Sequence, residues 1–286
     1  MEKPKAYFID IDGTLMEGTK KLNIDDKQAM KNVAKEGAYV ILSTGRSIQT
    51  VWPVWEQIRL KNKYTRYVIC NNGSAIWDME EKKILDEHFL DKDTFIELSK
   101  YLYNKGYAIR NSLESKFYSK KGIISSILKL KKDFKIENDF SKFEYNKDTS
   151  RKMGVITSYS KRKVKKNASA IKKKFPQLEI SITGPGLYIE MNAEGISKGF
   201  GAKFISEKLG FNLEEAVHIG DSMNDLAGFK AVGIGVSMGN GMKQLKKEAD
   251  FITTSLKKSG VSCAINELSQ KELKIKPSDR LKKIKL

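Results

Sequence analysis

The sequence predicts an α/β fold: a Rossmann-like open parallel sheet core with an inserted α+β cap domain. Three observations predict it. Short, unbroken apolar runs alternate with helix-patterned segments at the start of the chain, and the same alternation returns towards its end. Between them lies a lysine-dense stretch of different texture.

Ala6-Tyr7-Phe8-Ile9 has no polar interruption, as expected of a parallel strand buried on both faces. Asp25-Asp26 can cap a helix that runs to about Gly37, with Ala29, Met30, Val33 and Ala34 at helical spacing and Gly37 as its C-cap. Tyr39-Val40-Ile41-Leu42 reads as a second buried strand. A helix from near Ser47 to Leu60 follows, bent or restarted at Pro53. Tyr67-Val68-Ile69-Cys70 is the third strand. Strand–helix–strand at this spacing implies right-handed crossovers in one sheet.

From about Glu80 short strands and helices mix. Val164, Ala168, Ile171 and Phe175 form one apolar helical stripe, and Ile123, Ile124, Ile127 and Leu128 form another. The lysines from Lys161 to Lys174 then read as a solvated helix face. Tyr188-Ile189-Glu190-Met191 closes the region. A helix from Ser197 to Leu209 reopens the first pattern, followed by a strand at Ala216-Val217-His218-Ile219, a helix from about Met223, and strands near Val232 to Val236 and Ala249 to Ile252. The expected division is a core of residues 1–80 and 191–286 with a cap of 81–190. Lys271 to Leu286 carry seven basic and two acidic residues and read as a surface helix or frayed tail.

At 286 residues, 40% hydrophobic and 31% charged, the composition is that of a water-soluble globular chain. No apolar run approaches the roughly 18 residues that a membrane span needs. Met1-Glu2-Lys3-Pro4 leads almost directly into a strand, without the apolar segment of a signal peptide. Cys70 and Cys263 are far apart in ordinary apolar surroundings, which argues against a disulfide scaffold or a zinc site and points to a reducing cytoplasm. The formal net charge of +18 suits either a polyanionic partner or a lysine-rich composition. Lysine outweighs arginine, the more usual base-reading residue, so a nucleic-acid partner is disfavoured. Oligomeric state leaves no mark in the sequence.

Four segments carry chemistry. In Asp10-Ile11-Asp12-Gly13-Thr14-Leu15 an apolar strand runs straight into two carboxylates at its C-terminal end, where open parallel sheets bind ligands. Residues two apart on an extended chain face the same side, roughly 7 Å apart, and neighbouring carboxylates repel unless a cation or shared proton relieves them. An ordinary Asp-Gly turn is the plain alternative. Ser43-Thr44-Gly45-Arg46 offers a hydroxyl and backbone N–H groups to a phosphate oxygen, or simply a helix cap. Lys198 opens a helix, where a cation opposes the macrodipole unless an anion lies beside it; a solvent-exposed lysine is the alternative. Gly220-Asp221-Ser222-Met223-Asn224-Asp225 again places acids after a strand, with oxygens suited to Mg²⁺ or to capping a helix.

In this order the four segments resemble those of a haloacid dehalogenase (HAD) superfamily phosphatase, of the Cof-like branch whose cap (C2 type) is inserted after the third strand. Asn71-Asn72-Gly73-Ser74, Tyr188-Ile189-Glu190-Met191, Met238-Gly239-Asn240-Gly241 and Ser259-Gly260-Val261 match as well. The core resemblance spans about residues 6–80 and 187–268; the cap is similar only in position and strand–helix rhythm. The resemblance implies that Asp10 is the nucleophile and a Mg²⁺ ligand. It implies that Asp12 is the general acid–base, with its carbonyl on the metal. Thr44 with the Gly45 backbone would bind phosphate, Lys198 would neutralise it, and Asp221 would bind Mg²⁺. Asn224 would contact phosphate or orient Lys198, and Asp225 would support the metal shell. Gly228-Phe229 stands where the family often has Met-Leu, a packing change.

Rival chemistries find less support. No Gly is followed by Lys, so the P-loop pattern is absent, and no GxGxxG occurs. His88 and His218 are isolated, His218 reading as a core or strand-edge histidine. Trp52, Trp55 and Trp77 read as packing residues. The expected function is Mg²⁺-dependent hydrolysis of a small phosphate monoester, such as a sugar phosphate or phosphorylated cofactor, through phospho-Asp10. The alternatives are a phosphotransferase or mutase with the same site, or a nucleic-acid-binding protein on a HAD core. Arg110, Asn111 and Arg151, at strand boundaries in the insert, are the candidates for substrate selection, with solvated surface positions as their alternative.

Overall fold

The structure is a computed structural model, and it describes residues 3–17, 21–112, 116–130, 135–143, 145, 149–184, 186–270 and 284–285. The tail from Lys271 onward, apart from the last of these ranges, lies outside the described residues. The chain opens with β1 (Ala6–Ile9), α1 (Ile24–Lys35), β2 (Tyr39–Ser43), α2 (Ile48–Ile58), β3 (Tyr67–Cys70), β4 (Ala75–Asp78) and β5 (Lys83–Glu87). Asn23 caps α1 through a hydrogen bond to Asp25 N–H, so Asp25 and Asp26 occupy the first turn instead of the cap. There their charges suit the positive end of the helix. The helix α2 runs through Pro53 without a break.

The intervening segment holds α3 (Lys92–Asn104), β6 (Ala108–Asn111), β7 (Lys116–Tyr118), α4 (Ile123–Leu130), β8 (Lys135–Glu137), β9 (Met153–Ile156), α5 (Lys161–Lys174), β10 (Glu179–Thr183) and β11 (Tyr188–Asn192). The chain then forms α6 (Lys198–Leu209), β12 (Ala216–Gly220), α7 (Leu226–Ala231), β13 (Ile234–Ser237), α8 (Lys243–Glu248), β14 (Phe251–Ile252), α9 (Gly260–Gln270) and β15 (Ile284–Lys285).

Two compact units result: residues 1–86 with 197–286, and residues 87–196. Both boundaries fall six residues later than the division at 80 and 190 expected from texture. The reason is hydrogen bonding: β5 extends the sheet of the first unit, and all of β11 belongs to the sheet of the second.

In the first unit the strand order is β15-β14-β13-β12-β1-β2-β3-β4-β5. From β3 to β12 through β1 and β2, and on to β13, β14 and β15, neighbours are parallel; β4 returns antiparallel to β3. The chain winds outward from β1 through β2 and β3 on one side, and from β12 through β13 on the other. The order therefore reverses between β1 and β12, and in open α/β sheets ligands bind beyond the C-terminal strand ends at such a switch point. Alternation along the central strands fills both faces. Tyr7 and Ile9 of β1 pack with α1, α2 and α9, while Ala6 and Phe8 pack with Ala202 and Ile205 of α6.

The second unit is a six-stranded sheet, β10-β11-β9-β6-β7-β8, antiparallel except at β7–β8. Its main core joins Phe95, Leu98 and Leu102 of α3 and Val164, Ala168 and Ile171 of α5 to Ile109, Val155 and Ile189 of the sheet. The opposite face carries Ala108 and Phe117 against Leu128 of α4. Ile123, counted in the α4 stripe from spacing, is instead exposed. Among the described residues, Cys70 and Cys263 are not in a disulfide. Among the described residues no helix is long and apolar enough to cross a membrane.

Candidate active site

β1 ends at Ile9, and Asp10 is still tied to β12 by its N–H to Ile219 C=O, 3.0 Å. Asp10 is buried, 3% exposed. The chain then folds sharply back: Leu15 and Met16 N–H both bond to Ile11 C=O, and Gly13 N–H bonds to Met16 C=O. Gly13 takes φ +80°, and a Cβ there would lie 2.3 Å from Asp221 Oδ2. Glycine thus meets both a backbone and a space requirement. Asn240 also ties the turn, its Nδ2 donating to Gly13 C=O at 2.7 Å.

Lys198, the first residue of α6, has no exposed surface. Its Nζ donates to Asp10 Oδ1 and to Asp225 Oδ1, each at 2.6 Å. Burial works against this ammonium, and the two carboxylates outweigh it, holding the lysine charged. Asp225 also takes His218 Nε2 at 3.0 Å on Oδ1, and the N–H groups of Asp221 and Ser222 on Oδ2 at 3.0 Å. Its four acceptor directions are filled. Burial alone would neutralise Asp225, but Lys198 and His218 hold it ionised, below the usual carboxylate range.

Asp10 and Asp221 behave in the opposite way. Burial pushes both carboxyls up; Lys198 lowers both, and the neighbouring carboxylates raise them further. Oxygens of Asp10, Asp221 and Asp225 come within 4.8 Å of one another. Asp221 Oδ1 is buried without a hydrogen-bond partner. An orphaned carboxylate oxygen among crowded acids fits a hard divalent cation with oxygen ligands. With Asp225 saturated, Asp10 and Asp221 are the side chains left to hold it.

On β2's end, Thr44 is buried and anchored through Thr44 N–H to Ile69 C=O and Asn72 N–H to Thr44 C=O, both 2.9 Å. Thr44 Oγ1 accepts Arg46 N–H at 3.2 Å, which leaves the hydroxyl its own hydrogen to donate. Asp12 is exposed, unlike Asp10, and Arg46 grips it with Nε to Oδ2 at 2.7 Å and a terminal nitrogen to Oδ1 at 2.6 Å. Asn224 is fixed between Asn72 Oδ1, 3.0 Å, and Ser222 Oγ, 2.7 Å. Of the two roles expected of Asn224, contacting phosphate or orienting Lys198, the hydrogen bond from Lys198 is accepted by Asp225.

The sequence profile of haloacid dehalogenase-like hydrolases matches residues 7–265. The chain belongs to this family. A 5-amino-6-(5-phospho-D-ribitylamino)uracil phosphatase of Bacillus subtilis is 30% identical, over 91% of this chain and 94% of its own length. A solved haloacid dehalogenase-like hydrolase of B. subtilis superposes with a TM-score of 0.77 at 23% identity, covering 92% of this chain and 99% of the other. A HAD subclass IIB sugar phosphatase superposes at 0.75 and 20% identity, covering 92% and 98%. The HAD hydrolase described here is an enzyme acting on phosphoric monoesters.

In the hydrolase's second unit, the three substrate candidates diverge. Arg110 lies with its guanidinium 5.3 Å from the Phe117 ring centre and 5.6 Å from that of Tyr188. Asn111 is buried, paired in register with the core residue Met153. Arg151 is 8% exposed, ion-paired to Glu87 at 2.9 Å and set over Phe89. Arg151 is thus engaged inside its own unit. Arg46 and His218 were not assigned site roles from the sequence. Arg46 had a usable signal, since it directly follows Thr44-Gly45; His218, isolated in an apolar strand, had none.

Proposed function

We propose that this hydrolase cleaves a small phosphate monoester through a phospho-Asp10 intermediate, with Mg²⁺ as its metal. The observation that carries the reading is Lys198, buried and shared between Asp10 and Asp225, beside the orphaned oxygen of Asp221. A buried ammonium at this point lowers the cost of bringing a phosphate dianion against a carboxylate nucleophile.

Asp10 attacks phosphorus in line, forming the acyl phosphate as the P–O bond to the leaving group breaks. Asp12 gives its proton to the leaving oxygen. It then takes a proton from the water that attacks the same phosphorus, releasing inorganic phosphate and restoring Asp10. Thr44 and the Gly45 N–H hold the phosphoryl oxygens, and Asn224, braced by Asn72, is the further candidate to contact them. Mg²⁺, held by Asp10, Asp221 and the Asp12 carbonyl, supplies charge neutralisation for the transferred group.

The leaving group is assigned to residues of the inserted segment, with Arg110 as the first candidate. A guanidinium held over two rings keeps donors for a polar or anionic substituent. The substrate class is a phosphorylated metabolite, a sugar phosphate or a cofactor precursor; the ribitylaminouracil phosphate named for the B. subtilis relative belongs in the first panel. Phosphate release from such a panel, with and without Mg²⁺, tests the reading. Release of phosphate in water supports a hydrolase; transfer only to an added acceptor overturns it in favour of a phosphotransferase.

A further inference from the structure

His218 sits in the central strand β12 with no exposed surface, paired in register with Phe8. Its ring packs against Phe8, centroids 6.5 Å apart, and edge-on to Phe229 at 5.7 Å. Gly228 of α7 lies directly against it: a Cβ there would come 2.3 Å from ring atoms of His218. The histidine ring fills the space that a longer side chain at 228 would need.

The ring is more than filler, because its Nε2 reaches Asp225 Oδ1, the oxygen that accepts Lys198. Its Nδ1 is buried without a partner. A neutral imidazole with its proton on Nε2 satisfies both facts: it donates to the carboxylate and leaves only a bare acceptor unpaired. We propose that His218 is a positioning residue of the active site, which fixes the Asp225 carboxylate and through it aims Lys198 at Asp10, and that Gly228 is its steric complement.

The physical reason lies in how Lys198 is held. An ammonium on a flexible four-carbon stem takes its place from its acceptors. Asp225 Oδ2 is tied to two backbone N–H groups, whereas Oδ1 is shared between Lys198 and His218. Without the imidazole, Oδ1 directs its whole acceptor capacity at Lys198 and draws Nζ away from Asp10.

The inference rests on the phosphatase reading, so the test has an arm independent of turnover. His218→Ala should lose both thermal stability and kcat. The double variant His218→Ala with Gly228→Met refills the volume: its Tm should recover, while kcat stays down by about tenfold or more, the scale of one hydrogen bond to a charged group. KM should stay within about twofold, because the lesion touches the placing of Lys198 and not the leaving group. His218→Gln, whose amide can donate near the position of Nε2, should recover most of kcat. Recovery of kcat together with Tm in the double variant, or a Gln variant as slow as the double, overturns the proposal. In the second arm, ¹⁵N-histidine spectra are read near neutral pH. The chain has two histidines, and His88→Gln leaves one set of signals. A neutral Nε2–H tautomer that shifts in Asp225→Asn is expected; an Nδ1–H tautomer or an imidazolium overturns the proposal. If the wild type releases phosphate from no ester, the phosphatase reading fails, while this arm still decides the His218–Asp225 bond.

Discussion

Arg46 holds Asp12 at both carboxylate oxygens, with contacts of 2.7 and 2.6 Å, while Asp10, two residues earlier, is held by Lys198. Adjacent acids on one turn therefore have separate cationic partners from separate elements. The planar fork sets the orientation of Asp12, which an ammonium would not. Arg46→Ala should lower kcat by about tenfold or more without unfolding the protein. Arg46→Lys should restore only part of the loss. Steady-state kinetics alongside circular dichroism check this, and full activity in either variant would remove Arg46 from the mechanism.

Asp10→Asn should reduce turnover by several orders of magnitude, since the attacking oxygen and a metal ligand go together. Asp12→Asn should also fail, but it leaves the nucleophile intact and removes the base for the second half-reaction. Intact-mass measurement after exposure to substrate should show an added phosphoryl group in Asp12→Asn and none in Asp10→Asn.

Chelation should abolish activity and Mg²⁺ should restore it, with Ca²⁺ a poor substitute because of its looser and higher coordination. Binding to the native state alone raises the melting temperature. Mg²⁺ should therefore raise Tm in the wild type and do so far less in Asp221→Asn, a comparison that needs no substrate. Equal shifts in both proteins would reject Asp221 as a ligand.

Asp26, in the first turn of α1, has no exposed surface and accepts Ser262 N–H of α9 at 2.7 Å. Burial pushes it up to about 6. A carboxyl whose folded value lies above its unfolded value near 4 binds more protons in the native state across that window. Its contribution to stability is present at low pH and falls as pH rises from about 4 to about 6. Asp26→Asn keeps an acceptor for Ser262 and cannot titrate. The stability difference between variant and wild type should move in favour of Asn across this window and level off above it, as read from urea midpoints.

Arg110 and Arg151 should separate by phenotype. Arg110→Ala should change the ratio of kcat/KM between the preferred substrate and a generic aryl phosphate. Arg151→Ala should leave that ratio alone and cost about 1–3 kcal/mol of stability, because Glu87 loses its charged hydrogen-bond partner. Reversal of the two phenotypes would exchange their roles.

The alternation of apolar strands with helices, and the four acidic, hydroxyl and lysine segments, could be read directly from the chain. The hydrophobic pattern specifies buried parallel strands locally, and each segment follows a strand or opens a helix. Asp10, Thr44, Lys198 and Asp221 could be picked out as candidates for that reason. The partners of these residues were not. Lys198 meets Asp10 across 188 positions, and Arg46 meets Asp12 across 34. Which oxygen each takes depends on where β1, β2, β12 and α6 bring their ends. The boundary at residue 86 was equally hidden, since hydrogen bonding to the first sheet decides it, and composition does not record hydrogen bonds. His218 is the clearest case: within its strand it is one polar residue among apolar ones. Only the packed structure sets it against Gly228 and within reach of Asp225, because those contacts are made through space by residues on different elements.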